Sequence, residues 1–227
     1  MKKNSFLLML CLAGLSTLLI IGCKKDSPGS DPGSSKSFTE EFADISNIES
    51  KGWKVQNNTT PFEEAGWGQG TNGPSKSGEW HGFPAHSYTS YEGEFAYASV
   101  WDQSTSFSVS SWLITPILYV KNGDKISFHT RADTGTTNSE RLQVLMNTSS
   151  LTTLGSDPSM VGNYTTQLLE INPTLAVGGY PITWTKFEHT FSGLSSSKNV
   201  RIAFRYFVPS TSKAKGIGID VFKFESQ

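Results

Sequence analysis

Val200-Arg201-Ile202-Ala203-Phe204-Arg205-Tyr206-Phe207-Val208 decides the fold. Val200, Ile202, Phe204, Tyr206 and Val208 alternate with Arg201, Ala203, Arg205 and Phe207. A period of two over nine residues, rich in β-branched and aromatic side chains, specifies a strand with one buried face. The same period recurs upstream. Leu142, Val144 and Met146 alternate with Arg141, Gln143 and Leu145, and Ile126 and Phe128 alternate with Ser127 and His129. Lys121-Asn122-Gly123-Asp124 is a turn between two such runs. Further strands are expected at 38–43, 94–101, 111–119, 182–191 and 216–225. No internal repeat and no convincing amphipathic helix interrupts them, although 159–171 has the makings of a short helix.

The last strand changes phase. Ile217, Ile219 and Val221 share one face, whereas Phe222 and Phe224 lie on the other. Either both faces are covered, or a bulge sits beside Asp220. Both options suit an all-β, two-sheet antiparallel sandwich.

Residues 57–93 follow no period. They place Trp67, Trp80, Phe83, Tyr88 and Tyr91 among Gly66, Gly68, Gly70, Gly73, Gly78 and Gly82. A structureless loop of this length is functional, or is a packed excursion whose aromatics cover the sandwich.

The start of the chain fixes its destination. Met1-Lys2-Lys3 precedes an apolar run from Phe6 to Ile21, which ends in Gly22-Cys23. A basic start, a short apolar stretch and a small residue form a secretory signal. A membrane-spanning helix needs about 20 apolar residues, and this run is broken by Gly14 and Ser16. The cysteine at the cleavage point makes 1–22 resemble a bacterial lipoprotein signal, with the mature chain starting at a lipidated Cys23. Several acyl chains on one residue hold a protein stably, since each buried methylene adds about 0.8 kcal/mol. Residues 24–36 are a polar tether too poor in apolar surface to fold, so the folded domain is expected over 37–227. Lys24 is not the aspartate signal for inner-membrane retention, which directs the chain to the outer membrane and leaves surface display open.

Of 19 basic and 20 acidic residues, the signal removes Lys2 and Lys3, leaving 17 against 20, a net charge of −3. There is no basic patch for nucleic acid and no glycine-rich loop before a helix for a nucleotide. Cys11 leaves with the signal, so the mature domain has neither a disulfide nor a thiolate nucleophile.

Several segments in order resemble the choice-of-anchor J and cleaved-adhesin domains of Gram-negative surface proteins, related in shape to MAM domains. They are Ser37-Phe38-Thr39-Glu40-Glu41-Phe42 with Lys51-Gly52-Trp53, then Ser111-Trp112-Leu113-Ile114-Thr115-Pro116, Trp184-Thr185-Lys186-Phe187, the 200–206 strand and Gly218-Ile219-Asp220-Val221. The resemblance covers about 37–225 and implies a β jelly-roll sandwich that adheres or binds rather than catalyses. It also implies a structural calcium ion where the first and last strands meet. Glu41 and Asp220 match its acidic positions, while the second acidic position falls on Ala43 and Asp44 comes one residue later. Calcium takes six to eight oxygens. The competing reading leaves Glu41 on a solvated face and has Asp220 accept backbone amides in the bulge.

Catalytic signatures are missing. His81 and His86 are five apart in a loop, and His129 and His189 fall in alternating strands, where satisfied sheet residues are expected. No His-Glu-x-x-His and no Gly-x-Ser-x-Gly occurs. Glu63 and Glu64 are adjacent, and nothing fixes the spacing of Glu79 and Glu92, so a glycosidase pair is unsupported. The leading expectation is therefore a membrane-anchored binding or adhesion module, not an enzyme, for a glycan or an extracellular protein. The ligand candidates are Trp67, Trp80, Tyr88, Tyr91 and Trp101, with Asp102 and Glu79 as polar partners, since aromatic rings stack on sugars. Trp112, in a strongly apolar strand, is expected in the core. The other classes are an accessory subunit of an outer-membrane complex, recognised by an exposed apolar face, and a hydrolase, recognised by a His–carboxylate pair in a cleft.

Overall fold

Alternation along Lys198–Val208 places Val200, Ile202, Phe204, Tyr206 and Val208 in the interior of a sandwich. The computed structural model describes residues 36–59, 65–71, 83–86, 94–100, 107–133, 139–149, 151–209 and 214–227. The strands are β1 (Phe38–Glu40), β2 (Lys54–Asn57), β3 (Ala65–Thr71), β4 (Glu94–Val100), β5 (Val109–Ile114), β6 (Leu118–Val120), β7 (Lys125–Ala132), β8 (Leu142–Asn147), β9 (Thr166–Ile171), β10 (Thr185–Thr190), β11 (Lys198–Val208) and β12 (Gly216–Glu225). They form two 6-stranded antiparallel sheets. The first runs β10-β7-β12-β4-β3 with β1 added on β12, and the second runs β2-β5-β11-β8-β9 with β6 added on β11. This is the two-sheet jelly-roll sandwich that the sequence implies.

An aromatic column joins the sheets. Phe204 of β11 lies edge-on to Phe128 at 4.9 Å and to Phe222 at 5.8 Å, and Trp53 meets Phe222 at 5.3 Å. Such pairs add about 0.5–1.5 kcal/mol each beyond their buried area.

The phase change in β12 is a bulge. The pairing with β7 shifts between Asp220 and Lys223, and Val221 takes a left-handed φ of 49°. One extra residue re-phases the strand, so Ile217 and Ile219 before the bulge and Phe222 and Phe224 after it all reach the same core. Asp220 is thereby left on the outer face.

Three expectations need correction. The segment 159–171 is not a helix. It is a turn followed by β9, because its backbone pairs with β8 along a register that includes Val144↔Leu169. The 57–93 region is not structureless throughout, since Ala65–Thr71 pairs with β4 from end to end. The 111–119 strand is split, because Thr115 and Pro116 leave the β5 ladder and the chain re-enters as β6 on β11.

The outer face of the second sheet is sealed. Trp112, Ile114, Leu145 and Ala203 pack with Leu154 and Tyr164 from the segment after β8. Trp112 is fully buried, as expected, and its indole N–H reaches Asn58 Oδ1 and Ser110 Oγ at 3.0 Å. Arg205 lies beneath the same cover. Its Nε donates to Ser110 Oγ at 3.0 Å, its Nη1 to Gln143 Oε1 at 2.9 Å, and its Nη2 to the Pro158 carbonyl. The guanidinium lies over the rings of Trp112 and Phe207, and burial pulls its pKa down to about 9.

Candidate functional site

The outer face of the first sheet is the place to look, because its floor is built to hold rings. In β3, Trp67 and Gln69 turn inward, so Gly66, Gly68 and Gly70 line the other side. A Cβ at Gly70 would lie 2.4 Å from the Phe95 ring, and one at Gly218 would lie 2.9 Å from Trp184 Cη2. Only glycine lets those rings lie against the sheet. On this floor Phe83, Ala85, Phe95 and Tyr97 form a cluster with the half-buried Trp184 packed against it. Phe83 and Phe95 stack at 4.9 Å, and Trp184 stands edge-on to both, at 5.7 and 5.4 Å. The Trp184 indole is held by a 2.7 Å bond from Nε1 to the Pro84 carbonyl.

Polar groups border this platform. The exposed His86 stacks on the half-buried His129, with ring centres 3.6 Å apart. The segment carrying His86 is tied down by its backbone N–H, which donates to Asp220 Oδ2 at 2.8 Å, while Val221 N donates to Asp220 Oδ1 at 2.7 Å. Asp220 is fully buried and is the cross-strand partner of His129. Burial, then the neighbouring His86, Lys186 and Lys223, press the His129 pKa down to about 4, so it is neutral at pH 7. The satisfied sheet histidine that the sequence suggests is not found here, because His129 Nδ1 is buried with no partner among the described residues. His189 is half-buried and edge-on to Phe191 at 5.2 Å. Arg131 places its guanidinium over the Phe83 ring at 4.2 Å.

The expected ligand and metal residues fare differently. Trp67 is only 7% exposed and packs in the main core, so it presents no ring to a ligand. Its alternation partners are glycines, which hid the strand and made it read as loop. Glu79, Trp80, Tyr88, Tyr91, Trp101, Asp102 and the lipidation residue Cys23 lie outside the described residues, as do Glu63, Glu64, His81 and Glu92. Glu41 is exposed. The inward carboxylate of β1 is its neighbour Glu40, paired with Lys51 at 2.9 Å. Asp44 caps the 3-10 helix Ile45–Lys51, accepting from Ser46 N at 3.0 Å and Asn47 Nδ2 at 2.6 Å. With Asp220 turned to two backbone amides, these three carboxylates do not fit a calcium shell of six to eight oxygens. No group of three or more His, Cys, Asp or Glu side chains converges to hold a metal among the described residues.

Sequence reasoning missed Trp184, Arg131 and the His86–His129 stack as one site. Their contacts join residues tens of positions apart, with no local pattern to announce them.

Chemically, the platform offers an apolar indole, a cation on an aromatic ring and an imidazole at the edge. His129 and Asp220 are opposite one another in the β7–β12 ladder, the nearest approach on this face to the His–carboxylate pairing that would favour a hydrolase, but no hydrogen bond joins their side chains among the described residues. Both oxygens of this aspartate accept backbone N–H bonds, and the imidazole is stacked on another imidazole rather than set against a nucleophile.

The fold is that of cleaved adhesin domains. The K1 cleaved adhesin domain of Lys-gingipain from Porphyromonas gingivalis W83 is 21% identical, with a TM-score of 0.55 over 85% of this chain and 99% of that one. The K3 domain of the same protein is 22% identical, with a TM-score of 0.56 over 86% and 100%. The K2 domain of Lys-gingipain is 15% identical, with a TM-score of 0.55 over 84% and 99%. No family model matches the chain, and comparison with curated proteins finds no match. No helix among the described residues is long and apolar enough to cross a membrane.

Proposed function

We propose that this chain is a lipid-anchored binding module of the outer membrane, without catalytic activity, which recognises an extracellular glycan on the Trp184 platform. The observation that carries this reading is the half-buried indole of Trp184, fixed over Gly218, with His86 at 6.3 Å and Arg131 on the neighbouring Phe83 ring. A ring held at a set height beside polar donors stacks on a sugar face while the donors bond its hydroxyls. The shared fold with cleaved adhesin domains supports a binding role. The sequence around Gly22-Cys23 supports the anchor.

A protein ligand is the second reading. Leu151 and Met160, on the segment around the cover of the second sheet, are 62% and 50% exposed and favour it.

The test is an array of glycans and matrix proteins probed with residues 32–227, wild type and Trp184→Ala. Glycan binding that disappears in Trp184→Ala is expected. Glycan binding unchanged by Trp184→Ala, or binding to proteins alone, would refute the platform. Palmitate labelling abolished by Cys23→Ala tests the anchor.

A further inference from the structure

The chain has four arginines, and three of them are spoken for. Arg205 donates to Ser110, Gln143 and Pro158. Arg141 donates to the Phe207 carbonyl at 3.0 Å and faces Glu170 at 3.8 Å. Arg201 Nη1 donates to the Thr115 carbonyl at 2.6 Å and the Gly52 carbonyl at 3.3 Å. Arg131 differs. Its Nε bonds the adjacent Ala132 carbonyl at 3.2 Å, and its terminal nitrogens have no acceptor among the described residues. The acid nearest in charge, Asp133, pairs with Lys215 at 2.5 Å. The Arg131 guanidinium is half-buried, over the Phe83 ring at 4.2 Å, and Phe83 in turn packs edge-on to Trp184.

The surroundings add positive charge. Lys186 and Lys223 act on His129 from either side, Lys186 being shared with Glu188 at 3.0 Å. The carboxylate beneath the site, Asp220, is buried and faces backbone amides. An arginine fork held on an aromatic ring, with no acceptor for its ends among the described residues, is pre-organised for a two-oxygen anion.

From this we infer that the ligand of the Trp184 platform is an acidic saccharide bearing a carboxylate, with Arg131 clamping that carboxylate while Trp184 stacks on the ring. The inference rests on the glycan reading above and deepens it.

The test uses the full chain in detergent micelles, titrated with uronate oligosaccharides and with the same oligosaccharides as methyl esters. The ester keeps every ring and removes the charge. The acids are expected to bind about tenfold or more tightly than the esters, and Arg131→Ala to weaken acid binding by about the same factor, the usual worth of a charge-assisted bond. Arg131→Lys keeps the charge without the fork and falls between. Raising the salt weakens wild-type binding, since screening reaches about 3 Å at 1 M. A melting curve checks that each variant is folded. Equal affinity for acid and ester, both lost in Trp184→Ala and indifferent to Arg131→Lys, would overturn the acidic ligand and leave the glycan reading standing. Acid binding that survives Trp184→Ala unchanged would overturn the glycan platform itself. Failure of the acids to bind at all overturns the inference.

Discussion

Glu140 gives a quantitative test of the packing between the sheets. Its side chain is 1% exposed. Oε2 accepts from the Tyr206 hydroxyl, and Oε1 accepts from the amides of Lys215 at 2.8 Å and Gly216 at 3.2 Å, which begin β12. Burial raises the Glu140 pKa from 4.5 to about 7, against the opposing pull of those three donors. The folded protein therefore keeps a proton that the unfolded chain releases near 4.5. Stability is full below the unfolded pKa and falls as pH rises to about 7. At about 1.4 kcal/mol per pH unit, the whole window costs about 3 kcal/mol. Glu140→Gln mimics the protonated acid, since its oxygen accepts the two amides and its nitrogen faces Tyr206. It should match wild type at pH 5 and exceed it at pH 8 by about 3 kcal/mol. Glu140→Ala removes the acceptor from three buried donors at about 1–3 kcal/mol each, and should be destabilised by about 3 kcal/mol or more at pH 5. Urea unfolding of residues 32–227 from pH 5 to 8 reads all three. A wild-type-to-Gln difference that stays constant with pH would refute the assignment of the proton to Glu140.

Other consequences follow from particular contacts. Trp67→Ala should cost about 3–5 kcal/mol in chemical denaturation, as for a large buried ring, yet leave ligand affinity unchanged in the folded fraction. Gly218→Ala places a methyl group 2.9 Å from Trp184 Cη2, and should weaken ligand binding several-fold, read by titration, with the β12 pairing intact. Chelation by EDTA should move the melting temperatures of wild type and Glu41→Ala equally, because Glu41, Asp44 and Asp220 do not assemble a shell; a shift confined to wild type would restore the calcium site.

The strands with a clean period of two were legible because one face is apolar and the other polar, as along β11. The bulge at Asp220 was legible as a break in that period. β3 was hidden because Gly66, Gly68 and Gly70 carry no side chain to mark the outward face. β9 was hidden because Leu168 and Leu169 are adjacent, which blurs the alternation. The site was hidden for another reason. Tertiary pairing alone brings His86 over His129 and Phe83 beside Arg131 and Trp184. Spacing along the chain carries no trace of those contacts. The tryptophans illustrate the limit: the ligand candidate Trp67 and the motif residue Trp112 are buried, and Trp184, quoted for its place in a motif, is the one of the three left half-buried on the outer face.

The most direct measurement is hydrogen exchange on residues 32–227 with and without a saccharide that binds. Protection at 83–86, 127–131 and 184–186 is the predicted footprint on the outer face of the first sheet. Protection confined to 141–147 and 201–207, on the second sheet, would contradict the account.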